Sequence, residues 1–208
     1  MTLYQFEQRL WSEGYQHIAG CDEVGRGPLA GPVVAAAVVL DPNHPIVGLN
    51  DSKQLSKTKR RQLQQDILAF ALAYEIVFLS PEVIDDINIY QASKQAMMQA
   101  IKQLDVKVDY VLSDAMPLPT IGVPVEAIVK GDTKSATIAA ASILAKEARD
   151  DYMCEMAKIY PGYGFERNMG YPTKEHKEAL ETLGPTPIHR NSYKPVQDWY
   201  NKQMKLNL

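Results

Sequence analysis

Two adjacent carboxylates, Asp22 and Glu23, close an otherwise apolar stretch and open the run Asp22-Glu23-Val24-Gly25-Arg26-Gly27-Pro28. An ionised carboxylate is costly to bury without a cation. A hard divalent ion such as Mg²⁺ or Mn²⁺ takes oxygen ligands and removes that cost. The same pair could equally form a solvated acidic strand end, ion-paired to Arg26. Neighbouring side chains on a strand point to opposite faces. Both acids can therefore reach one ion only where the strand bends or ends; otherwise one contributes its backbone carbonyl. On this reading Asp22 is the central ligand and Glu23 lies at the rim.

Two more aspartates sit where a metal site could use them. Asp114 follows a short hydrophobic strand expected over residues 109–113. Ends of adjacent strands converge at one edge of an open sheet, so Asp22 and Asp114 can meet. Taken by itself, Asp114 reads as a turn former before Met116-Pro117. Asp132, in Lys130-Gly131-Asp132-Thr133-Lys134-Ser135, precedes an alanine-rich helix. Aspartate is a favoured N-cap. Capping and metal binding are compatible, because each carboxylate oxygen can serve a different partner. In Gly25-Arg26-Gly27 the glycines permit close backbone approach to a ligand. Exposed N–H groups beside an arginine suit phosphate or sugar contact.

The elements that must carry these residues follow from periodicity and turn chemistry. Residues 2–13 read as a short helix. Residues 17–24 and 31–40 read as strands joined by the glycine-rich turn in a hairpin-like start. A helix over 56–70, a strand over 73–79, a helix beginning at Pro81 and a helix over 89–104 come next. Short strands at 109–113 and 125–129 precede a long helix over 133–160, whose Arg149, Asp150 and Asp151 are expected at a solvated or ion-paired end. Helices over 172–183 and 195–205 complete the chain. Strands alternating with helices predict an α/β fold, a mixed sheet flanked by helices. The expected division is a catalytic domain over 1–160 and a small C-terminal helical extension over 161–208.

Composition narrows the function classes. The chain has 208 residues, 46% of them hydrophobic, enough for a real core. Its formal net charge of −3 lacks the basic excess of a module held to nucleic acid by charge alone. A local basic groove in an enzyme remains compatible with that balance, since metal-binding acids lower the total. Cys21 and Cys154 have no close partner at zinc spacing, and two thiols fit a reducing compartment. No basic segment followed by an apolar run opens the chain, so no signal peptide is expected. The longest apolar run spans residues 33–40, far short of the roughly 20 that a membrane helix needs. The expected location is cytoplasmic.

The run Asp22-Glu23-Val24-Gly25-Arg26-Gly27-Pro28-Leu29-Ala30-Gly31-Pro32 resembles the opening motif of ribonuclease HII. Asp51-Ser52-Lys53-Gln54-Leu55, Asp114, Lys130-Gly131-Asp132, Ala139-Ala140-Ala141-Ser142-Ile143-Leu144-Ala145-Lys146 and Gly170-Tyr171-Pro172-Thr173-Lys174-Glu175-His176 resemble its further motifs, in family order. The resemblance implies a ribonuclease H-like fold. It implies an endonuclease that hydrolyses the RNA strand of RNA–DNA hybrids and cuts 5′ of ribonucleotides embedded in duplex DNA, as in ribonucleotide excision repair. It implies a site of four carboxylates, Asp22, Glu23, Asp114 and Asp132, holding two Mn²⁺ or Mg²⁺ ions and giving 5′-phosphate and 3′-hydroxyl ends. Gly25, Arg26 and Gly27 would recognise the 2′-hydroxyl, which distinguishes RNA from DNA. Tyr171 would stack on the sugar beside the RNA–DNA junction; without the family pattern it reads as a packed loop aromatic. Lys53, within the basic run that includes Lys57, Lys59, Arg60 and Arg61, is expected to touch a substrate phosphate. The terminal Gln203-Met204-Lys205-Leu206-Asn207-Leu208 resembles the peptide with which bacterial proteins dock on the replication sliding clamp, with Met204 in place of a leucine; chance or packing of the last helix is the favoured account of so short a match.

Overall fold

The computed structural model describes residues 3–119 and 121–206. In order these form α1 (Gln5–Ser12), β1 (Ile18–Val24), β2 (Val33–Leu40), α2 (Lys57–Phe70), β3 (Ala71–Leu79), α3 (Pro81–Ile87) and α4 (Ile89–Gln103). There follow β4 (Tyr110–Asp114), β5 (Val125–Ile128), α5 (Ala136–Ile159), α6 (Phe165–Asn168), α7 (Lys174–Leu183) and α8 (Lys194–Leu206). The mixed α/β architecture expected from the sequence is the one formed. Two compact units divide the chain: residues 1–24, 34–77 and 93–147, and residues 25–33, 78–92 and 148–208.

The first unit is built on the sheet, in strand order β3-β2-β1-β4-β5. β1 runs antiparallel to β2 and parallel to β4, and β4 runs parallel to β5. Every residue of β2 is buried, as its unbroken apolar sequence requires of a strand covered on both faces. The β1–β4 register pairs Cys21 with Ser113. Asp22 and Asp114 are the next residues in each strand, so parallel pairing alone brings them to the same end of the sheet. Leu10, Ile18, Leu112, Ile128 and Ile138 form a core cluster around this pairing.

The start of α5 lies hard against β1 at Gly20. A Cβ there would stand 2.2 Å from the Thr137 carbonyl carbon and 2.4 Å from the Ile138 nitrogen. Both obstacles are backbone, so the helix would have to move. Gly20→Ala is therefore expected to destabilise the protein by about 3 kcal/mol, the upper range for overpacking. Urea denaturation measures this, and an unchanged midpoint would show that the helix can yield.

α5 begins later than the sequence suggests. A 3₁₀ turn, Gly131–Thr133, precedes it, and Lys130 adopts the left-handed φ of 57°. Asp132 thus sits inside the turn and does not cap the helix. Ser135 Oγ accepts from Ile138 N at 3.3 Å, and Glu7 Oε1 accepts from Thr137 N at 3.0 Å. Glu7 also takes the hydroxyls of Ser135 and Thr137, at 2.5 and 2.8 Å. A buried side chain from α1 therefore fixes the helix start, and the Asp132 carboxylate is left for other partners.

The second unit packs α6, α7 and α8 around the loop between β1 and β2. Ala30, Met153, Tyr163, Phe165, Ala179 and Ile188 form one core cluster, and Leu29, Leu180 and Val196 another. Arg149, placed by the sequence reading at a solvated or ion-paired helix end, has no solvent exposure. The loop carbonyls explain this: its guanidinium donates to Pro32, Ala30 and Met169 oxygens at 3.0, 3.1 and 2.9 Å.

Candidate metal centre

Asp22, Asp114 and Asp132 each offer a carboxylate oxygen within 4.8 Å of the others. Each reaches this point by a different local device. Asp22 ends the buried part of β1, and its Oδ1 accepts from the Glu23 N–H at 2.7 Å. Asp114 ends β4, followed by Ala115 at φ 50°. The tight turn after it is held by Ser113 Oγ donating to the Met116 carbonyl at 2.7 Å. Asp114 Oδ1 accepts from Gly131 N at 2.7 Å, which ties the end of β4 to the turn carrying Asp132. A Cβ at Gly131 would lie 2.6 Å from Ile138 Cδ1, so that side-chain tip would have to shift to make room.

The donor set suits a hard divalent cation and is poorly suited to anything else. Three carboxylates in one place repel one another, and burial raises the cost of charging Asp22 and Asp132. Burial, followed by Glu23 and Asp114, pushes the Asp22 carboxyl well above the usual carboxylate range. Asp132 is pushed up to about 6 by burial, then by Asp114 and Asp51. An all-oxygen ion site reverses both effects.

Glu23 is half-buried and stands outside this convergent set. Its charge is nonetheless close enough to help raise the Asp22 carboxyl. Asp51, from the Asp51-Ser52-Lys53 motif, lies close enough to Asp132 to raise its carboxyl. Its turn also places the Lys53 ammonium close enough to oppose the rise at Asp132. Lys53 itself is exposed, with its N–H donating to Asp51 Oδ1 at 2.9 Å.

The rest of the basic run does different work. Arg60 and Arg61 grip Glu147, which is fully buried, at 2.6 and 2.7 Å. Arg60 also donates to the carbonyls of Ser52 and Leu55, so these charges shape the Lys53 loop from beneath.

In the second unit, Gly25 has φ 94°, and a Cβ there would lie 2.3 Å from Arg149 Nε. Arg190, also fully buried, donates to the carbonyls of Gly25, Arg26 and Gly31 at 2.6, 3.0 and 2.9 Å. The carbonyls of the Gly25-Arg26-Gly27 loop are thus turned onto a buried guanidinium. Tyr171 is 39% exposed and borders Gly27, whose Cβ position lies 3.5 Å from Tyr171 Cε1.

Beneath Tyr171 lie His176 and His189, both buried. Burial and then His176 push His189 down to about 4, and burial lowers His176 as well. The unfolded chain binds a proton near the usual histidine value of 6.5 while the folded His189 resists it. Its contribution to stability is complete above that value and lost as the pH falls toward about 4, in total about 3 kcal/mol. Denaturation at about pH 7 and about pH 5 should show this acid loss, diminished in His189→Asn. An identical loss in the variant would assign it to other groups.

The family profile described as ribonuclease HII matches residues 19–196. Ribonuclease HII of Halalkalibacterium halodurans is 53% identical over 196 residues, 94% of this chain and 74% of that protein. Among solved structures, ribonuclease H2 of Pyrococcus horikoshii superposes with a TM-score of 0.77 at 25% identity, covering 90% of this chain and 99% of that one. The ribonuclease HII of Archaeoglobus fulgidus, solved in complex with PCNA, gives a TM-score of 0.73 at 26% identity, covering 86% and 95%. No helix among the described residues is long and apolar enough to cross a membrane. From the sheet order to the matched motifs, the chain belongs to the ribonuclease HII family and is an endonucleolytic hydrolase.

Proposed function

We propose that this enzyme hydrolyses the RNA strand of RNA–DNA hybrids and cuts on the 5′ side of ribonucleotides embedded in duplex DNA. The observation that carries the reading is the convergence of Asp22, Asp114 and Asp132 in a chain of this family. These three residues, with Glu23 at the rim, would hold two Mg²⁺ or Mn²⁺ ions. Bound there, divalent ions supply an activated water and Lewis-acid stabilisation of the phosphate. Water adds to phosphorus, the bond to the 3′-oxygen breaks, and that oxygen leaves as a hydroxyl once protonated. The products are a 3′-hydroxyl and a 5′-phosphate on the ribonucleotide.

The protein's own part is to hold and orient. Lys53 would meet a substrate phosphate as a point charge. The backbone of Gly25, Arg26 and Gly27 would meet the 2′-hydroxyl, and Tyr171 would stack on the sugar beside the junction. Residues 161–208 would then serve as a substrate-binding extension to a catalytic domain over 1–160. A C-terminal contact with a sliding clamp is a further part of this reading, supported by the PCNA complex of the archaeal relative. Of Gln203–Leu208, Met204 is 60% exposed near the end of α8, and residues 207–208 lie outside the described residues.

A labelled duplex with one ribonucleotide tests the activity. With Mg²⁺ or Mn²⁺, cleavage is expected at the phosphate 5′ to that ribonucleotide, and EDTA should stop it. Cleavage of an all-DNA duplex at the same rate, or cleavage indifferent to EDTA, would contradict the reading.

A further inference from the structure

The two buried histidines below Tyr171 form a chain of hydrogen bonds with only one consistent direction. The Thr186 N–H, which can only donate, lies 2.9 Å from His189 Nδ1. That nitrogen must accept, so a neutral His189 carries its proton on Nε2. His189 Nε2 faces His176 Nε2 at 3.1 Å. His176 Nε2 must therefore accept, which places the His176 proton on Nδ1. Nδ1 lies 2.9 Å from the Tyr171 carbonyl, a group that can only accept. One arrangement satisfies all these groups. A second proton on His176 would set two N–H groups face to face between the rings. A second proton on His189 would oppose the Thr186 N–H.

The chain ends on the backbone of Tyr171, whose other hydrogen bonds run to residues within three positions of it. The Tyr171 carbonyl also accepts from Thr173 N at 2.8 Å, and its N–H donates to Asn168 O at 2.9 Å. The rings of Tyr163 and Phe165 surround the pair at centroid distances of 5.2 to 6.3 Å. In such a setting an apolar pair would pack without the cost of burying imidazoles. What two histidines add is a donor of fixed direction, aimed at the Tyr171 carbonyl.

We propose that His176 and His189 are positioning residues, which hold the backbone of Tyr171 through this directed chain and so set its ring for the ribose at the RNA–DNA junction. The proposal rests on the stacking role given to Tyr171 above. Asparagine at position 176 places an amide N–H close to where Nδ1–H stands, whereas leucine offers no donor.

Steady-state kinetics of the full chain on a duplex with one ribonucleotide decide the matter. Tyr171→Ala is expected to raise KM about tenfold, the order of one lost stacking contact. His176→Leu should raise KM by a similar factor, with kcat within about twofold of wild type. His176→Asn should restore most of the KM. In the double variant His176→Leu/Tyr171→Ala, KM should match that of Tyr171→Ala alone, since the histidine acts through the tyrosine. Where His176→Leu folds poorly, His189→Asn breaks the chain while keeping an acceptor for Thr186, and the same rise in KM is expected. A wild-type KM for Tyr171→Ala overturns the stacking role and the proposal with it. A raised KM there beside an unchanged KM for the histidine variants, or effects that multiply in the double variant, overturns the proposal alone.

Discussion

Asp114→Asn is expected to lower turnover by about a thousandfold or more, with the fold intact, because it would withdraw charge from the ion that, on the proposed mechanism, stabilises the phosphate. Asparagine has nearly the same shape, and its Oδ1 can still accept from Gly131 N, the contact that ties β4 to the Asp132 turn. What disappears is one of three negative charges held within 4.8 Å. In EDTA the variant should be more stable than wild type, because Asp114 is among the groups that oppose ionisation of Asp22 and Asp132. Each kcal/mol of relief raises Tm by about 3 °C in a chain of this size. With Mg²⁺ in excess the order should reverse, since only the wild type gains from binding the ion. If Asp114 were only a turn former, turnover would survive the change. Activity assays beside thermal melts in EDTA and in Mg²⁺ separate these outcomes.

Arg190→Met is expected to cost about 4 kcal/mol and about 10 °C in Tm, and to abolish tight substrate binding. The guanidinium is fully buried and donates to the carbonyls of Gly25, Arg26 and Gly31 and to the Tyr193 hydroxyl. Methionine fills part of the volume and supplies no donor. Each buried carbonyl left without a partner costs about 1–3 kcal/mol. Relief from burying a cation offsets part of that loss. Burial already pulls Arg190 below the usual arginine range, so the charge is held at a cost that the carbonyls repay. A melt within about 2 °C of wild type would show that the loop holds itself.

Asp22 and Asp114 were legible in the sequence because each ends a short apolar stretch, and the edge of a parallel strand pair gathers such ends. The β1–β2 hairpin, α2, α4 and α7 were legible for the same kind of local reason. Asp132 was found, but its setting was not: the 3₁₀ turn and the capping by Glu7 depend on a residue some 130 positions away. Arg149 and Arg190 were missed as organisers. Their carbonyl partners in the β1–β2 loop lie 117 to 165 residues away, and no periodic pattern marks an arginine whose burial is set by distant carbonyls. α6 has four residues, bounded by left-handed Gly164 and Met169, too few to show a helical period. The Arg60–Arg61 grip on Glu147 was not legible either, because nothing local in a dense basic run shows that part of it holds a buried acid 87 positions away.

The central claim is that Asp22, Asp114 and Asp132 share a divalent ion. Anomalous scattering at the manganese edge from crystals grown with Mn²⁺ tests it most directly. A peak enclosed by those three carboxylates is expected, lost in Asp114→Asn. Strong manganese peaks elsewhere with none among the three aspartates would contradict it.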